Sequence, residues 1–479
     1  MKFYITSAIP YVNAKPHIGH AQEFIQADVI ARFHRLAGDD VCYLTGSDEN
    51  ALKNVQAAQN SGVDIQTFVD TNAKLFQTLL EKLAISVDVF QKGSDREKHF
   101  LSSQKLWNLC RDHGDIYRKE YSGLYCVGCE VFYEKEELNK NGECFEHPGK
   151  QLEMVTETNY FFRLSHYQKQ LINLINSDTV HIVPEFRKNE TLSFLKQGLK
   201  DISISRTSKR AKDWGVPVPE DNSQRMYVWF DALNIYQSGI GFGWDEKAYE
   251  KWWPADVHII GKGIIRFHAV YWLAFLLSAR LAIPKQLFVH GYITVNGQKM
   301  SKTIGNVTDP VMLIDLYGVD PVRYYLLREI PSYQDGDYSE HRFKELYNAD
   351  LANGLGNLVS RVAKLAERFG EFQITSFRPS WYKEVIEALN EFRFDQALSV
   401  IWIKIAALDR FINDEKPWTF DVASSEEKEL LAAFLLHAST ELVEIAYNLS
   451  PFLPETARNI RKQFTGSIKA SNSLFPRIQ

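Results

Sequence analysis

The segment YVNAKPHIGH sets His17 and His20 three residues apart, with Gly19 between them and Pro16 just before. Residues 2–9 (KFYITSAI) are rich in β-branched and aromatic side chains, which predicts a strand. From His17 onward Phe24, Ile25, Val29, Ile30 and Phe33 recur at helical spacing, up to Gly38. Proline fits before or at a helix start, where its missing N–H costs little. Both imidazoles then share the first turn of a helix. A strand, a tight turn and a helix N-terminus offer N–H groups and the positive end of a dipole, a setting for phosphate. Two other readings compete on this stretch alone: a metal-binding pair with no third ligand nearby, and a capped, solvated helix start.

A second group of charges lies far along the chain. After LFVHGYITV and the hairpin signal Asn296-Gly297 comes KMSKT, in which Lys299 and Lys302 flank a small segment. Loop lysines are ordinarily just solvated. Lysines and histidines that both follow strands of a parallel sheet can instead reach one nucleotide. A third group is Cys126, Cys129, Cys144 and His147, spaced C-x2-C-x14-C-x2-H. Two knuckles at this spacing suit tetrahedral Zn²⁺ in a closed structural site.

The elements that must position these groups follow from pattern. Residues 1–115 alternate strands (2–9, 41–46, near 86–90) with helices (17–37, 49–83, 95–113), the rhythm of a doubly wound parallel sheet. The rhythm breaks over 116–212. It returns over 225–300, with YVWF and VHIIGK as strands, a helix from about Asp231 and a long helix over 265–281. An α/β domain split by an insertion explains this order. From about 340 onward nearly every segment reads as helix, which predicts an α-helical bundle.

Composition narrows the classes. The 479 residues carry a net charge of −5, so the chain as a whole does not announce nucleic-acid binding, although a local basic face is open to it. Repeats, low-complexity tracts, a signal-peptide pattern and an apolar run of membrane length are absent; LLAAFLLHAS (430–439) reads as a core helix. Five cysteines, three of them clustered, do not make a secreted disulfide framework. A cytoplasmic protein with no membrane partner is expected.

YVNAKPHIGH and KMSKT resemble the two signature motifs of class I aminoacyl-tRNA synthetases, the second with Thr303 where serine is usual. SAIPYVNAKPHIGH, TGSDE, YVWFDALNIY, GKGIIRFHAVYW, VHGYITVNGQKMSKT and FINDEKPW make the resemblance specific to the methionyl-tRNA synthetase family, over nearly the whole chain. The insertion, about 100 residues, is too short to hold an editing domain beside a zinc knuckle. The resemblance implies a Rossmann-like catalytic domain in two halves (1–115 and 213–298) and a zinc-bearing insertion (116–212). It further implies a KMSKT loop and stem-contact region (299–345) and a helical anticodon-binding domain (346–479). It implies ATP-dependent activation of L-methionine and transfer to the 3′ end of tRNA(Met). ATP, with Mg²⁺, would be held by His17, Gly19, His20, Lys299, Ser301 and Lys302. His17, His20, Lys299 and Lys302 would stabilise the adenylation transition state. Ile9, Tyr11, Trp229, Ala232, Tyr236 and His268 would line the methionine pocket, with Tyr236 or His268 donating weakly to sulfur. Asp48 and Arg206 would form a charged pair between catalytic domain and insertion. Asn357, Arg361 and Trp418 would read the anticodon, and basic residues of 187–212 would face the acceptor stem. The chain stops soon after the helical region, so a monomer without an appended C-terminal module is expected.

Three positions depart from the family pattern. Gly263 replaces an aspartate that holds the substrate's amino group, Asn50 a histidine, and Leu273 a proline. Asp48 or Glu49 could replace the lost ammonium partner. Two rival functions stay open: an adenylating enzyme with another amino acid, for which Gly263 is the motive, and a non-catalytic tRNA-binding paralogue. The intact histidines and lysines argue against the second.

Overall fold

The computed structural model describes residues 1–126, 131–133, 135–145, 149–300, 306–370, 372–374 and 377–479. The chain forms two compact units. The first comprises Met1–Pro16, His34–Glu81 and Ser86–His290; the second comprises His17–Phe33, Lys82–Ile85 and Gly291–Gln479.

The first unit is built on a six-stranded parallel sheet. Its order is Val89–Lys92, Asp40–Ser47, Lys2–Ser7, Val257–Gly261, Gln286–His290, His181–Val183. The two central strands pair with Thr6 opposite His258. The chain leaves Lys2–Ser7 towards one edge and leaves Val257–Gly261 towards the other. That reversal opens a crevice at the carboxyl ends of the two strands, where doubly wound sheets bind ligands. Ile9 and Tyr11 follow one of these strand ends; Gly263 and His268 follow the other. Residues 116–162 and 202–203 add a four-stranded antiparallel sheet, and Ser205–Thr207, Pro217–Val218 and Asp221–Met226 add a three-stranded one. These interrupt the βα rhythm where the sequence does.

Three expectations change. The helix expected over 49–83 is two helices, Leu52–Ser61 and Ile65–Lys82, parted at Gly62 with φ 68°. YVWF is not a strand: the strand Asp221–Met226 ends before it, and Val228–Ala232 is helical. A short apolar run carries no period that separates a buried strand from a buried helical turn. The helix expected over 265–281 opens as a π-helix, Phe267–Trp272, and continues as Leu273–Ser278.

In the second unit Ile293–Val295 pairs antiparallel with Gln298–Lys299 through Asn296 (φ 50°) and Gly297 (φ 75°). Left-handed backbone at both turn residues makes this the tight hairpin that Asn-Gly announces. The rest is mainly helical, including Asn357–Phe369, Lys383–Asn390, Phe394–Glu415, Ser425–Leu449 and Pro454–Gln463. Ser425–Leu449 has the length and mean hydropathy (1.4) to cross a membrane. Its buried residues include Leu431, Phe434, Leu435, Ala438, Leu442, Ile445 and Leu449 at three- and four-residue spacing, with Ser439, Ala446 and Asn448 beside them, the one-sided stripe of a core helix. Residues 17–33 are held within this unit by a buried ion pair. Arg323 Nη2 lies 2.7 Å from Asp28 Oδ2, and both side chains are fully buried. The same guanidinium donates to the carbonyls of Phe452 (2.8 Å), Leu83 (3.1 Å) and Pro451 (2.9 Å).

Candidate active site

His17 precedes the helix Ile18–Leu36, and its carbonyl accepts from the N–H of His20 (2.9 Å) and of Ala21 (3.2 Å). The Gly19 N–H donates to His17 Nδ1 at 3.1 Å, and the His17 N–H donates to His20 Nδ1 at 3.2 Å. This is a reciprocal capping box made of two imidazoles. The Ile18 N–H donates to the Thr308 carbonyl at 3.1 Å. The first-turn N–H groups, expected to serve an anion, are thus engaged internally. A ring nitrogen that accepts an N–H bears no proton, so each neutral imidazole carries its proton on Nε2. Burial, and His17 beside it, hold His20 well below the usual imidazole range, so it works as a neutral donor. The rings stack at 3.9 Å. A Cβ on Gly19 would meet His17 Cε1 at 3.0 Å, which explains the glycine between the histidines. The same Cβ would lie 3.7 Å from Met300 Cε. Met300, within KMSKT, and Thr308, after it, therefore both meet the histidine turn. The Lys299 side chain, Ser301 and Lys302 lie outside the described residues.

The six residues expected around methionine all belong to the first unit. Trp229 stacks on Phe267 at 3.6 Å with planes 2° apart, and Tyr11 meets Trp229 edge-on at 6.1 Å. Ala232 is one turn beyond Trp229 on Val228–Ala232, and Ile9 packs against the same core as Tyr11. Phe267 escaped sequence reasoning, although it stands next to His268. Tyr236 Oη lies 2.8 Å from His268 Nε2, and His268 Nδ1 lies 3.0 Å from the Ile264 carbonyl. A carbonyl only accepts, so Nδ1 bears the proton, Nε2 is bare, and the Tyr236 hydroxyl donates to it. Neither group keeps a proton for a thioether sulfur. The expectation of a donor to sulfur fails for that reason; the aromatic walls are what remains to recognise a thioether.

Burial holds His268 down to about 4. In the unfolded chain its imidazole titrates near 6.5. The folded state refuses a proton that the unfolded state accepts, so stability is full above about pH 6.5 and falls as pH drops towards 4. The loss from this residue is about 3 kcal/mol at completion. Thermal unfolding of the wild-type chain should show this acid slope, and His268→Gln should flatten part of it; an identical slope in both would contradict the assignment.

The departures are also placed. Gly263 lies in the turn Lys262–Ile264 just after the central strand. The Glu49 carboxylate accepts from Ser47 Oγ (2.7 Å), from the Ser94 N–H (3.1 Å) and from Ser94 Oγ, with Lys92 Nζ at 3.9 Å. Three donors and the Lys92 ammonium therefore already face the Glu49 carboxylate. Asp48 is buried, its N–H donating to the Pro10 carbonyl at 2.8 Å and its backbone bridged to Tyr11. Arg206 is buried too, over the rings of Tyr125 (6.0 Å) and Tyr227 (5.8 Å), and lines a cavity of about 830 Å³ with Arg210, Lys119 and Arg266. The basic stretch 187–212 is not one open face. Lys188 is tied to Asp178 (2.8 Å), Arg187 to Glu190 (2.6 Å) and Arg210 to Glu153 (3.2 Å), while Lys209 and Lys212 are exposed.

Cys126 and Cys144 are buried with sulfurs 3.3 Å apart and form no disulfide. Two thiolates on one Zn²⁺ stand about 3.8 Å apart, so this pair fits a shared ion. Cys129 and His147 lie outside the described residues, and among the described residues no group of three metal-binding side chains occurs. In the second unit Arg361 lies over the Trp418 ring at 5.7 Å, fixed by Asp409 (2.6 Å) and Asn413 (2.7 Å). Trp418 is 47 % exposed. Asn357, exposed, opens the same helix one turn before Arg361, at the end of a π-helix, Tyr347–Gly356.

Comparison with known proteins gives consistent results. The family described as "tRNA synthetases class I (M)" matches residues 3–363. A methionine–tRNA ligase of Thermotoga maritima is 41 % identical over 98 % of this chain and 76 % of its own length. One of Brucella suis is 40 % identical over 96 % and 91 %. The solved Mycobacterium tuberculosis methionyl-tRNA synthetase in complex with methionyl-adenylate has a TM-score of 0.91 at 37 % identity, covering 99 % of this chain and all of that one. Its free form has a TM-score of 0.85 at 35 % identity, covering 100 % of this chain and 98 % of that one.

Proposed function

We infer, from the premise that this chain belongs to the class I (M) family of tRNA synthetases, that it is a methionine–tRNA ligase. A methionine carboxylate oxygen attacks the α-phosphorus of ATP; the bond to the bridging oxygen breaks and pyrophosphate leaves. A ribose hydroxyl at the tRNA 3′ end then attacks the carbonyl of the adenylate, and AMP departs. Negative charge builds on the α-phosphoryl oxygens and on the leaving pyrophosphate. The Nε2–H groups of His17 and His20 are preorganised neutral donors for that charge. Mg²⁺ bound with ATP would supply further charge neutralisation there. The observation that carries the reading is the histidine turn with Met300 and Thr308 against it, since it joins two sequence signatures that are individually weak. Lys299, Ser301 and Lys302 complete the ATP site in this reading. Asp48 takes over as the carboxylate for the substrate ammonium, because Glu49 is engaged, and it pairs with Arg206.

The tRNA side of the reading rests on the exposed Trp418 indole beside Arg361. An unpaired anticodon base stacked there is worth about 1–3 kcal/mol. Trp418→Ala should therefore raise the KM for tRNA(Met) by about 5–150-fold and leave tRNA-independent ATP–pyrophosphate exchange unchanged. Charging of tRNA(Met) transcripts with labelled methionine tests the function and this residue together; an unchanged KM would remove Trp418 from the interface.

The reading also assigns one structural Zn²⁺ to Cys126, Cys129, Cys144 and His147, supported by the reduced sulfur pair. The ion would close an insertion too small to hold its own core. Metal analysis should find one zinc per chain. Chelation should lower the thermal midpoint, and full activity and stability in a zinc-free protein would contradict the assignment. Reduced thiols fit a cytoplasmic chain, which the reading takes as a monomer.

A further inference from the structure

Asn50 stands where the family usually has histidine, and the structure gives it a defined task. Its Nδ2 donates to Asp231 Oδ2 at 2.6 Å and to the Gly93 carbonyl at 2.7 Å. Asp231 lies between Trp229 and Ala232 on Val228–Ala232 and is 1 % exposed. Its Oδ1, and Asn50 Oδ1, are buried without hydrogen-bond partners among the described residues. Asn50 follows Asp48 and Glu49 directly, and the turn at Gly93 carries Ser94, which grips Glu49. One amide thus ties three segments: the strand end with Asp48, the Gly93 turn and the aromatic wall. The other charged and titratable groups facing Asp231 are His99, with Nε2 at 3.8 Å, and Arg206; Glu49 adjoins Asn50 in the chain.

We propose that Asn50 is a positioning residue for methionine: by holding Asp231 it sets Trp229 and Ala232 relative to Asp48. This rests on the reading of the chain as a methionine–tRNA ligase. A buried carboxylate needs a donor, and an unpaired one is costly. A neutral imidazole offers one N–H, whereas the amide supplies both bonds seen here.

The test is Asn50→Asp, read as methionine-dependent ATP–pyrophosphate exchange across pH. Two carboxylates at this separation share one proton at low pH, and the second ionises only at raised pH. At low pH the shared proton keeps the hydrogen bond; at high pH the pair repels. The methionine KM of Asn50→Asp should rise about tenfold or more from about pH 6 to about pH 8, with the KM for ATP unchanged and the unsubstituted enzyme flat. Loss of the Gly93 bond adds a pH-independent offset. Asn50→Asp with Asp231→Asn restores one carboxylate facing one amide with roles exchanged. It should abolish the pH dependence while His99 and Arg206 remain. Should Asn50→Asp alone fail to fold, the exchanged pair still decides. A methionine KM within about threefold of the unsubstituted value supports the proposal, and a KM as high as that of Asn50→Ala overturns it. A flat profile in folded Asn50→Asp, or an equal rise in the KM for ATP, also overturns it. No exchange by the unsubstituted chain would overturn the parent reading, and this inference with it.

Discussion

His20→Ala is expected to lower the kcat of methionine-dependent ATP–pyrophosphate exchange by about 10²–10³-fold, with the methionine KM within about twofold. The loss comes from removing an Nε2–H donor aimed at charge that exists only in the transition state. A smaller structural loss accompanies it, because His20 Nδ1 accepts the His17 N–H. Losing such a cap costs about 1 kcal/mol, visible in thermal unfolding but too little for the rate effect. His17→Ala should behave alike. The double variant should lose less than the sum, because each ring fixes the other through stacking and the shared cap. Since burial keeps His20 neutral, the kcat of the wild-type enzyme should not fall with loss of an imidazolium between about pH 6 and about pH 8. A rate that tracked imidazolium there would contradict the neutral-donor assignment.

Arg323→Met is expected to cost about 3–5 kcal/mol. The substitution leaves the buried Asp28 carboxylate with Arg32 (2.7 Å) in place of two guanidinium partners, and uncouples the carbonyls of Phe452, Leu83 and Pro451, all of them inside the second unit. Asp28→Asn should cost less, since an amide oxygen still accepts from Arg323. Asp28→Leu added to Arg323→Met should recover part of the loss and not all, because the three carbonyls remain without their donor. Denaturant unfolding and hydrogen exchange of the amides in 18–33 measure this directly. Unchanged protection of those amides in Arg323→Met would show that the pair does not anchor the helix that carries His17 and His20.

Much of this was legible in the sequence because the relevant signals are local. Strand, proline, histidine pair and apolar period placed the helix start within a residue or two, and Asn-Gly gave the hairpin before KMSKT. The βα rhythm predicted the parallel sheet. Signals that depend on tertiary partners were not legible. The imidazoles read as ligands for an anion, but that each caps the other depends on which nitrogen faces which N–H. YVWF reads as a strand because four apolar residues have no diagnostic period. The donor direction in the Tyr236–His268 pair is decided by the Ile264 carbonyl, which no motif announces. Arg323, within the apolar stretch PVRYYLL, looks like a surface charge until Asp28 is brought to it across the fold. Glu49 looked available for an ammonium until Ser47, Ser94 and Lys92 were seen around it.

The measurement closest to the central claim is ATP–pyrophosphate exchange by the unsubstituted chain against each of the twenty amino acids in turn. It reads adenylation alone, before any tRNA enters. The account predicts exchange with methionine and with no other, which would also show that a glycine at 263 is tolerated. Exchange with a different amino acid would mean a pocket rebuilt around Gly263. No exchange with any, from folded and zinc-loaded protein, would contradict the assignment of the two histidines to adenylation chemistry.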